Sequence, residues 1–182
     1  YGAWNLYKAI EEKSRNTDNR IVMGPWQHGG WGGRGEGSYL GNVQFGSKTS
    51  EFYQRNIEIP FFNFYLKLKG TVHDIAEANI FFSGENEWRR LEQWPPKNSV
   101  PVNANLLANN TIAIDAAGMA SGDKKLTGSS GYIEYISDPA KPVPFSEKIT
   151  PQMAIEYMVD DQRFAARRPD VLAYQTPALT EE

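Results

Sequence analysis

The pattern of apolar residues changes near Gly70, and this change constrains the fold more than any other feature of the sequence. Before Gly70, apolar residues recur at three- and four-residue spacing, which is typical of amphipathic helices. After about residue 75, short apolar runs alternate with clusters of Asn, Gly, Ser and Pro, which is typical of strands joined by turns. A chain of 182 residues with two such regions is expected to contribute to two domains.

The first region has the order helix, turn, strand that is characteristic of open α/β sheets. Periodic apolar residues predict an amphipathic helix over roughly the first fourteen residues. Residues 20–24 form a short apolar run ending in glycine and predict a buried parallel strand. A second helical stretch is expected to be capped by residues 49–51, to break or restart at Pro60, and to end at Gly70.

The second region predicts short strands separated by turns. A hairpin is expected from residues 78–82 and 87–91, with residues 83–86 as its turn. Further strands are predicted at residues 106–107, 111–114, 132–136 and 171–176. Short strands with regular turn signals favour a sandwich or jelly roll.

Composition excludes several classes of function. The chain has no cysteine, which excludes disulfide scaffolds, zinc-thiolate sites and cysteine nucleophiles. The net charge of −3 provides no basic surplus for binding nucleic acid. No apolar run approaches the ~20 residues of a membrane span, and the glycine run lacks the ending of a phosphate-binding loop. We therefore expect no metal, no cofactor, no nucleic acid and no membrane among its partners.

Residues 24–46 contain nine of the 16 glycines, together with Trp26, His28 and Trp31. In open α/β sheets, ligands bind beyond the carboxyl ends of strands, and His28 follows the predicted strand. Such a histidine can act as the general base of a Ser–Asp–His triad, although a structural histidine bonded to the backbone has the same spacing. Trp26 and Trp31 are candidates for the wall of a substrate pocket, or Trp26 packs beneath the loop.

The Gly-Pro-Trp-x-His motif at residues 24–28, the glycine-rich loop and the helix with Pro60 resemble a known family. It is the family of α-amino acid ester hydrolases, cocaine esterase and X-Pro dipeptidyl-peptidases, with glutaryl acylase-like members. Residues 135–144 and 161–172 resemble the β-domain that follows the catalytic domain in that family. Several motifs occur in the family's order, and the resemblance spans essentially the whole chain.

The resemblance implies an α/β plus β fold. Residues 1–72 would be the C-terminal part of an α/β-hydrolase catalytic domain, and residues 73–182 the N-terminal part of a jelly-roll-like β-sandwich domain. It implies a serine hydrolase that cleaves small esters or amides through an acyl-enzyme, with His28 as the catalytic-triad histidine. The family's Gly-x-Ser-Tyr-x-Gly elbow is not in this sequence, and Ser38 lies in the wrong order. The family's triad Asp would fall upstream of Tyr1, so we expect a fragment that by itself lacks the Ser and Asp.

The expected partners are a small-molecule ester or amide, the remainder of a longer parent chain and further copies in a homo-oligomer. The resemblance suggests the periplasm or secretion, while a cytoplasmic location stays open. The alternative is a non-catalytic β-module with an α/β remnant that binds carbohydrate or protein. Trp88 and Trp94 would be its exposed aromatic residues.

Overall fold

A computed structural model describes residues 2–14, 16–33, 35–116, 131–149, 151 and 155–178. The chain forms two compact units, Tyr1–Lys97 and Asn98–Glu182. Among the described residues, none of the helices is long and apolar enough to cross a bilayer.

The first unit combines three α-helices, one π-helical turn and five strands. In chain order these are α1 (Gly2–Lys13), β1 (Ile21–Met23), β2 (Tyr39–Leu40), β3 (Val43–Gln44), α2 (Thr49–Tyr53), the π-helical turn (Gln54–Glu58), α3 (Ile59–Lys67), β4 (Ala78–Phe82) and β5 (Glu87–Leu91).

Strand β4 lies between β1 and β5 in one sheet. It runs parallel to β1, with Ile21 opposite Ala78, and antiparallel to β5, with Phe82 opposite Glu87. The predicted parallel strand and the predicted hairpin are therefore both confirmed. Because parallel neighbours need a crossover connection, residues 24–77 have to leave the sheet and return to it.

Two apolar clusters lie on opposite faces of this sheet. On one face, Tyr7 of α1 packs with Ile21 and the β4 residues Ala78 and Ile80. On the other face, a cluster built around Ile57, Val72 and Ile75 packs against Val22, Tyr53, Phe61 and Phe64. Successive side chains of a strand point to opposite faces, so Ile21 and Val22 direct β1 into both clusters. The first unit is thus a layered α/β arrangement, with α1 on one face and the α2–α3 segment on the other.

The second helical stretch is continuous from Thr49 to Lys67. Pro60 lies in the first turn of α3, directly after the π-helical turn, where its missing N–H is tolerated. The helix ends at Leu68, which adopts the left-handed conformation with φ 53°. The prediction that Gly70 ends the helix is therefore wrong, because a leucine takes the conformation usually left to glycine.

Arg20, directly before β1, binds the last part of the crossover that joins β1 to β4. Its guanidinium donates to both oxygens of Asp18, at 2.8 and 2.9 Å, and to the carbonyls of Val72 (2.8 Å) and Ile75. The Tyr65 hydroxyl donates to the same Asp18 carboxylate. These hydrogen bonds, that of Arg20 first, hold the pKa of Asp18 below its usual range. One side chain thereby fixes the turn before β1 to the segment that leads into β4.

The described residues of the second unit form one antiparallel pair of strands, a 3₁₀ turn and a short helix. These are β6 (Val102–Leu106), β7 (Ile112–Ala116), the turn Glu156–Met158 and α4 (Arg163–Ala166). An isolated parallel bridge joins Thr111 to Gln175, so the predicted strand at residues 171–176 is reduced to one bridge. Residues 132–136 pair with no described residue, so the strand predicted there is wrong. The described part of this unit contains one sheet, and that sheet has two strands.

The compact units divide after residue 97, whereas the sequence predicts a domain boundary at 72/73. The difference arises because β4 pairs with β1, which keeps the hairpin β4–β5 in the first unit. As a statement about domains of the parent protein, the boundary at 72/73 stays a prediction.

Tyr7 generates a testable pH dependence. Its side chain is buried, at 4% exposure, and its hydroxyl donates to Glu77 Oε1 at 2.5 Å. Burial first, and then the hydrogen bond to Glu77, raise the pKa of Tyr7 to about 12 from 10.0. Above pH 10 the unfolded chain loses this proton while the folded chain keeps it. The stability that this pKa shift contributes is therefore fully present below pH 10 and is lost as the pH rises towards about 12.

We expect wild type to lose on the order of 2 kcal/mol of unfolding free energy over that pH range through this group. Tyr7→Phe removes the titrating hydroxyl and should lose less over the same range, from a lower starting stability. Urea unfolding of both proteins at several alkaline pH values measures the difference. Parallel pH profiles for the two proteins would contradict the assignment.

Candidate active site

The loop after β1 presents His28 beyond the carboxyl end of the strand. A turn closes around the histidine, because the N–H of Gly30 donates to the carbonyl of Gln27 at 2.9 Å. A second turn follows directly, in which Gly32 donates to Gly29 at 3.1 Å. The imidazole is exposed. This is the placement that the sequence predicts for a histidine able to accept a proton from a bound group.

The contact partner of His28 is Trp31. The two rings meet edge to face, with centroids 5.8 Å apart and planes at 84°. Trp31 is 40% exposed, so its ring has a free surface beside the imidazole. Among the described residues, none hydrogen-bonds His28. The interpretation of His28 as a structural histidine tied to the backbone therefore finds no support in this part of the chain.

Trp26 is packed between the loop and the elements beneath it. Its indole N–H donates to Thr49 Oγ1 at 2.8 Å. Its ring lies 5.2 Å from Tyr53 and 5.8 Å from Trp88. It also folds back over Gly24, where an added Cβ would lie 2.4 Å from the ring. These contacts favour the packing interpretation of Trp26, while a role for Trp26 and Trp31 in binding substrate stays a prediction.

Thr49 and Ser50 are the side chains that sequence reasoning missed. They are 0% and 1% exposed and lie at the start of α2. Thr49 Oγ1 donates to the carbonyl of Gly37 at 2.5 Å, and Ser50 Oγ donates to the carbonyl of Gly30 at 2.8 Å. The sequence predicts that residues 49–51 cap the helix, but the cap position is Lys48 and no side chain caps it. The hydroxyls bind the glycine-rich loop instead.

Two further features order the loop. Gln54 donates from Nε2 to the carbonyl of Trp31 at 2.9 Å. The short hairpin β2–β3 forms in the middle of the loop and leads into Phe45, which is buried against Phe81 at 5.5 Å. The loop is therefore a built structure around His28 rather than an unsupported connection.

The described residues contain no group of three or more His, Cys, Asp or Glu side chains that could hold a metal ion. The chemistry that the arrangement itself offers is that of an exposed imidazole on an ordered loop. In an α/β sheet, such a group can accept and return a proton at a ligand beyond the strand end. Such proton transfer is the part that a histidine plays in hydrolases built on α/β sheets.

Comparison with known proteins identifies the group of hydrolases. A selenomethionine-labelled α-amino acid ester hydrolase is 34% identical and superposes with a TM-score of 0.80 over 100% of this chain and 30% of its own. An aminopeptidase from the marine sediment archaeon Thaumarchaeota archaeon is 31% identical, with a TM-score of 0.79, over 100% of this chain and 29% of its own. Cocaine esterase from Rhodococcus sp. (strain MB1 Bresler) is 27% identical over 91% of this chain and 28% of its own. No family model matches the chain.

These matches confirm the resemblance predicted from the sequence. The chain is related to the hydrolases of the α-amino acid ester hydrolase and cocaine esterase family. It spans less than a third of the length of each relative. The superpositions also confirm the coarser fold prediction, an α/β part followed by a β part.

Gly37 generates a prediction about the loop. At Gly37, with φ +68°, an added Cβ would lie 2.1 Å from Ser50 Oγ. Gly46 has nearly the same backbone, with φ +67°, but an added Cβ there meets nothing within 4 Å. Gly46→Ala should therefore cost about 1 kcal/mol through backbone strain alone. Gly37→Ala should cost about 2 kcal/mol more, because it also displaces the buried hydroxyl.

Urea unfolding of the two alanine variants against wild type measures this difference. Equal losses at the two positions would show that the contact between the loop and α2 contributes nothing to stability.

Proposed function

We propose that this chain is part of a serine hydrolase that cleaves small esters or amides, in which His28 is the general base. The observation that carries the proposal is the exposed imidazole, held on an ordered loop at the carboxyl end of β1. The relatives named ester hydrolase and esterase support the reaction class.

In this mechanism His28 works on a serine that the rest of the parent polypeptide supplies. The imidazole takes the proton of the serine hydroxyl as its oxygen attacks the substrate carbonyl. It then gives that proton to the departing alcohol or amine, which leaves an acyl-enzyme. In the second half, the imidazole takes a proton from a water molecule as the water oxygen attacks the acyl carbonyl. It then gives that proton to the serine oxygen as the acyl–serine bond breaks, which releases the acid and restores the serine. A carboxylate from the same parent would orient the imidazole and stabilise its charged form.

The proposed substrate is a small acyl or α-amino acyl ester or amide. Trp31 supports this choice, because its free ring surface beside His28 offers an apolar wall to an acyl group. The names of two relatives, α-amino acid ester hydrolase and aminopeptidase, favour an α-amino acyl group.

We further propose that the chain comprises the end of an α/β-hydrolase domain and the start of a jelly roll. The α1 and α2–α3 layers on opposite faces of the sheet support the first part. The antiparallel pair β6–β7 supports the second. The exposed apolar side chains at the end of α3 and directly after it agree with cover by the remainder of the parent, since Leu66 and Leu68 are 74% and 89% exposed. Further copies of the parent stay proposed partners.

The alternative, a binding module that uses Trp88 and Trp94, is less well supported. Trp88 stacks on Phe52 at 5.2 Å, and Trp94 packs edge-on against Trp4 at 6.4 Å. Both rings are thus engaged in packing within the first unit. Both side chains are half-buried, so neither is the exposed aromatic residue that this alternative requires.

The test is His28→Ala in the full-length protein. We expect kcat/KM for a p-nitrophenyl ester to fall by about 10³-fold or more, because the serine loses its base. His73→Ala is the matched control, since His73 is the other histidine of the chain and is also exposed. It should hydrolyse the ester at the wild-type rate.

Circular dichroism and the unfolding midpoint establish that both variants are folded. Near-wild-type turnover by folded His28→Ala would show that the reaction does not pass through this imidazole.

A further inference from the structure

We propose that Thr49, Ser50 and Gln54 are positioning residues that fix His28 in its working place. The inference rests on the proposed function, since it concerns the geometry of the proposed general base. None of the three contacts His28. Each hydrogen-bonds instead to a backbone carbonyl or to a tryptophan side chain close to His28 in the chain.

The three side chains hold the loop on both sides of the histidine. On the downstream side, Ser50 Oγ donates to the carbonyl of Gly30 and Gln54 Nε2 donates to the carbonyl of Trp31. On the upstream side, Thr49 Oγ1 accepts the indole N–H of Trp26. His28 lies between these attachment points, at most three residues from any of them. The loop is therefore attached to one helical segment on both sides of His28.

The two hydroxyl side chains are buried. Thr49 and Ser50 are 0% and 1% exposed, and they are the largest fully buried side chains in the described part of the first unit. A buried hydroxyl has no water to replace a lost partner, so breaking its hydrogen bond costs the desolvation of that hydroxyl. Burial of two polar side chains where an apolar core would be simpler points to a geometric requirement.

The helical segment that carries these residues is itself fixed on the sheet. Ile57, in the π-helical turn, is buried against Val72 and Ile75. Tyr53 lies in the same cluster and also contacts Trp26. Val22 of β1 packs against the same cluster, so the segment that holds the loop is packed against the sheet.

The same two residues also bind the part of the loop that follows the exposed turn. Thr49 Oγ1 donates to the Gly37 carbonyl, and the Ser50 backbone N–H donates to the Glu36 carbonyl at 3.1 Å. Thr49 and Ser50 thus hydrogen-bond to loop segments on both sides of the exposed turn. These hydrogen bonds hold the loop in the bent conformation that exposes His28.

Misplacing a general base lowers the rate of proton transfer more than it weakens substrate binding. A displacement of about 1 Å can cost about 10²-fold in rate. Loss of one attachment should displace His28 by less, because the others remain. We therefore expect an effect on kcat with little change in KM.

The test compares variants of the full-length protein with a p-nitrophenyl ester. Ser50→Ala and Thr49→Val should each lower kcat by about tenfold, with KM within about twofold of wild type. Thr49→Ser keeps the hydroxyl and should recover most of the rate. Gln54→Ala removes an exposed attachment, so it should fold even if the buried variants do not, and it should lower kcat by about threefold.

Tyr7→Phe is the control for stability. It removes a hydrogen bond of a buried residue in the other cluster, without contact to the loop. It should therefore lower the unfolding midpoint and leave kcat unchanged. If Thr49→Val and Thr49→Ser have equal kcat, or if the folded loop variants match Tyr7→Phe, the positioning proposal is overturned.

His28→Ala, measured in the same assay, separates the two proposals. An active His28→Ala would overturn the proposed function itself. An inactive His28→Ala with fully active Ser50→Ala and Gln54→Ala would overturn only the positioning role.

Discussion

The parallel pairing of β1 with β4 is the constraint on which the first unit depends. It begins where the N–H of Ile21 donates to the carbonyl of Glu77 at 2.8 Å, and it continues in register to Met23 and Ile80. Two parallel neighbours cannot be joined by a tight turn, so the chain between them has to form a crossover. That crossover contains both the loop with His28 and the helical segment that holds the loop. The candidate site and its support are therefore parts of one connection. Arg20 hydrogen-bonds to the last part of that connection, at the carbonyl of Val72.

The sheet also supports the loop from below through aromatic contacts. Phe81 of β4 and Trp88 of β5 are paired in the register and meet at 5.6 Å. Trp88 continues to Trp26, and Phe81 continues to Phe45. The two ends of the loop thus rest on adjacent positions of one hairpin. The hairpin β4–β5, which the sequence predicts, therefore also supports the loop from below.

The sequence predicted those elements whose signal is local. Helix α1 and the hairpin β4–β5 follow from periodicity within a few residues, and His28 follows from its position after a strand. The buried hydroxyls could not be predicted, because their partners lie 12 and 20 residues away. Residues 132–136 have the alternation of a strand, but alternation reports which residues favour one face and not whether a partner strand exists.

The choice of hydroxyl side chains for this attachment has a physical reason. Thr49 Oγ1 accepts from the indole of Trp26 and donates to Gly37 through the same oxygen. An aliphatic side chain of the same size could do neither, and it would leave the indole N–H of Trp26 without this acceptor. A longer amide or carboxylate would not fit where the loop approaches so closely that position 37 admits no Cβ. A small group that is both donor and acceptor is therefore what lets a loop made largely of glycine, with its high conformational entropy, hold one histidine in place.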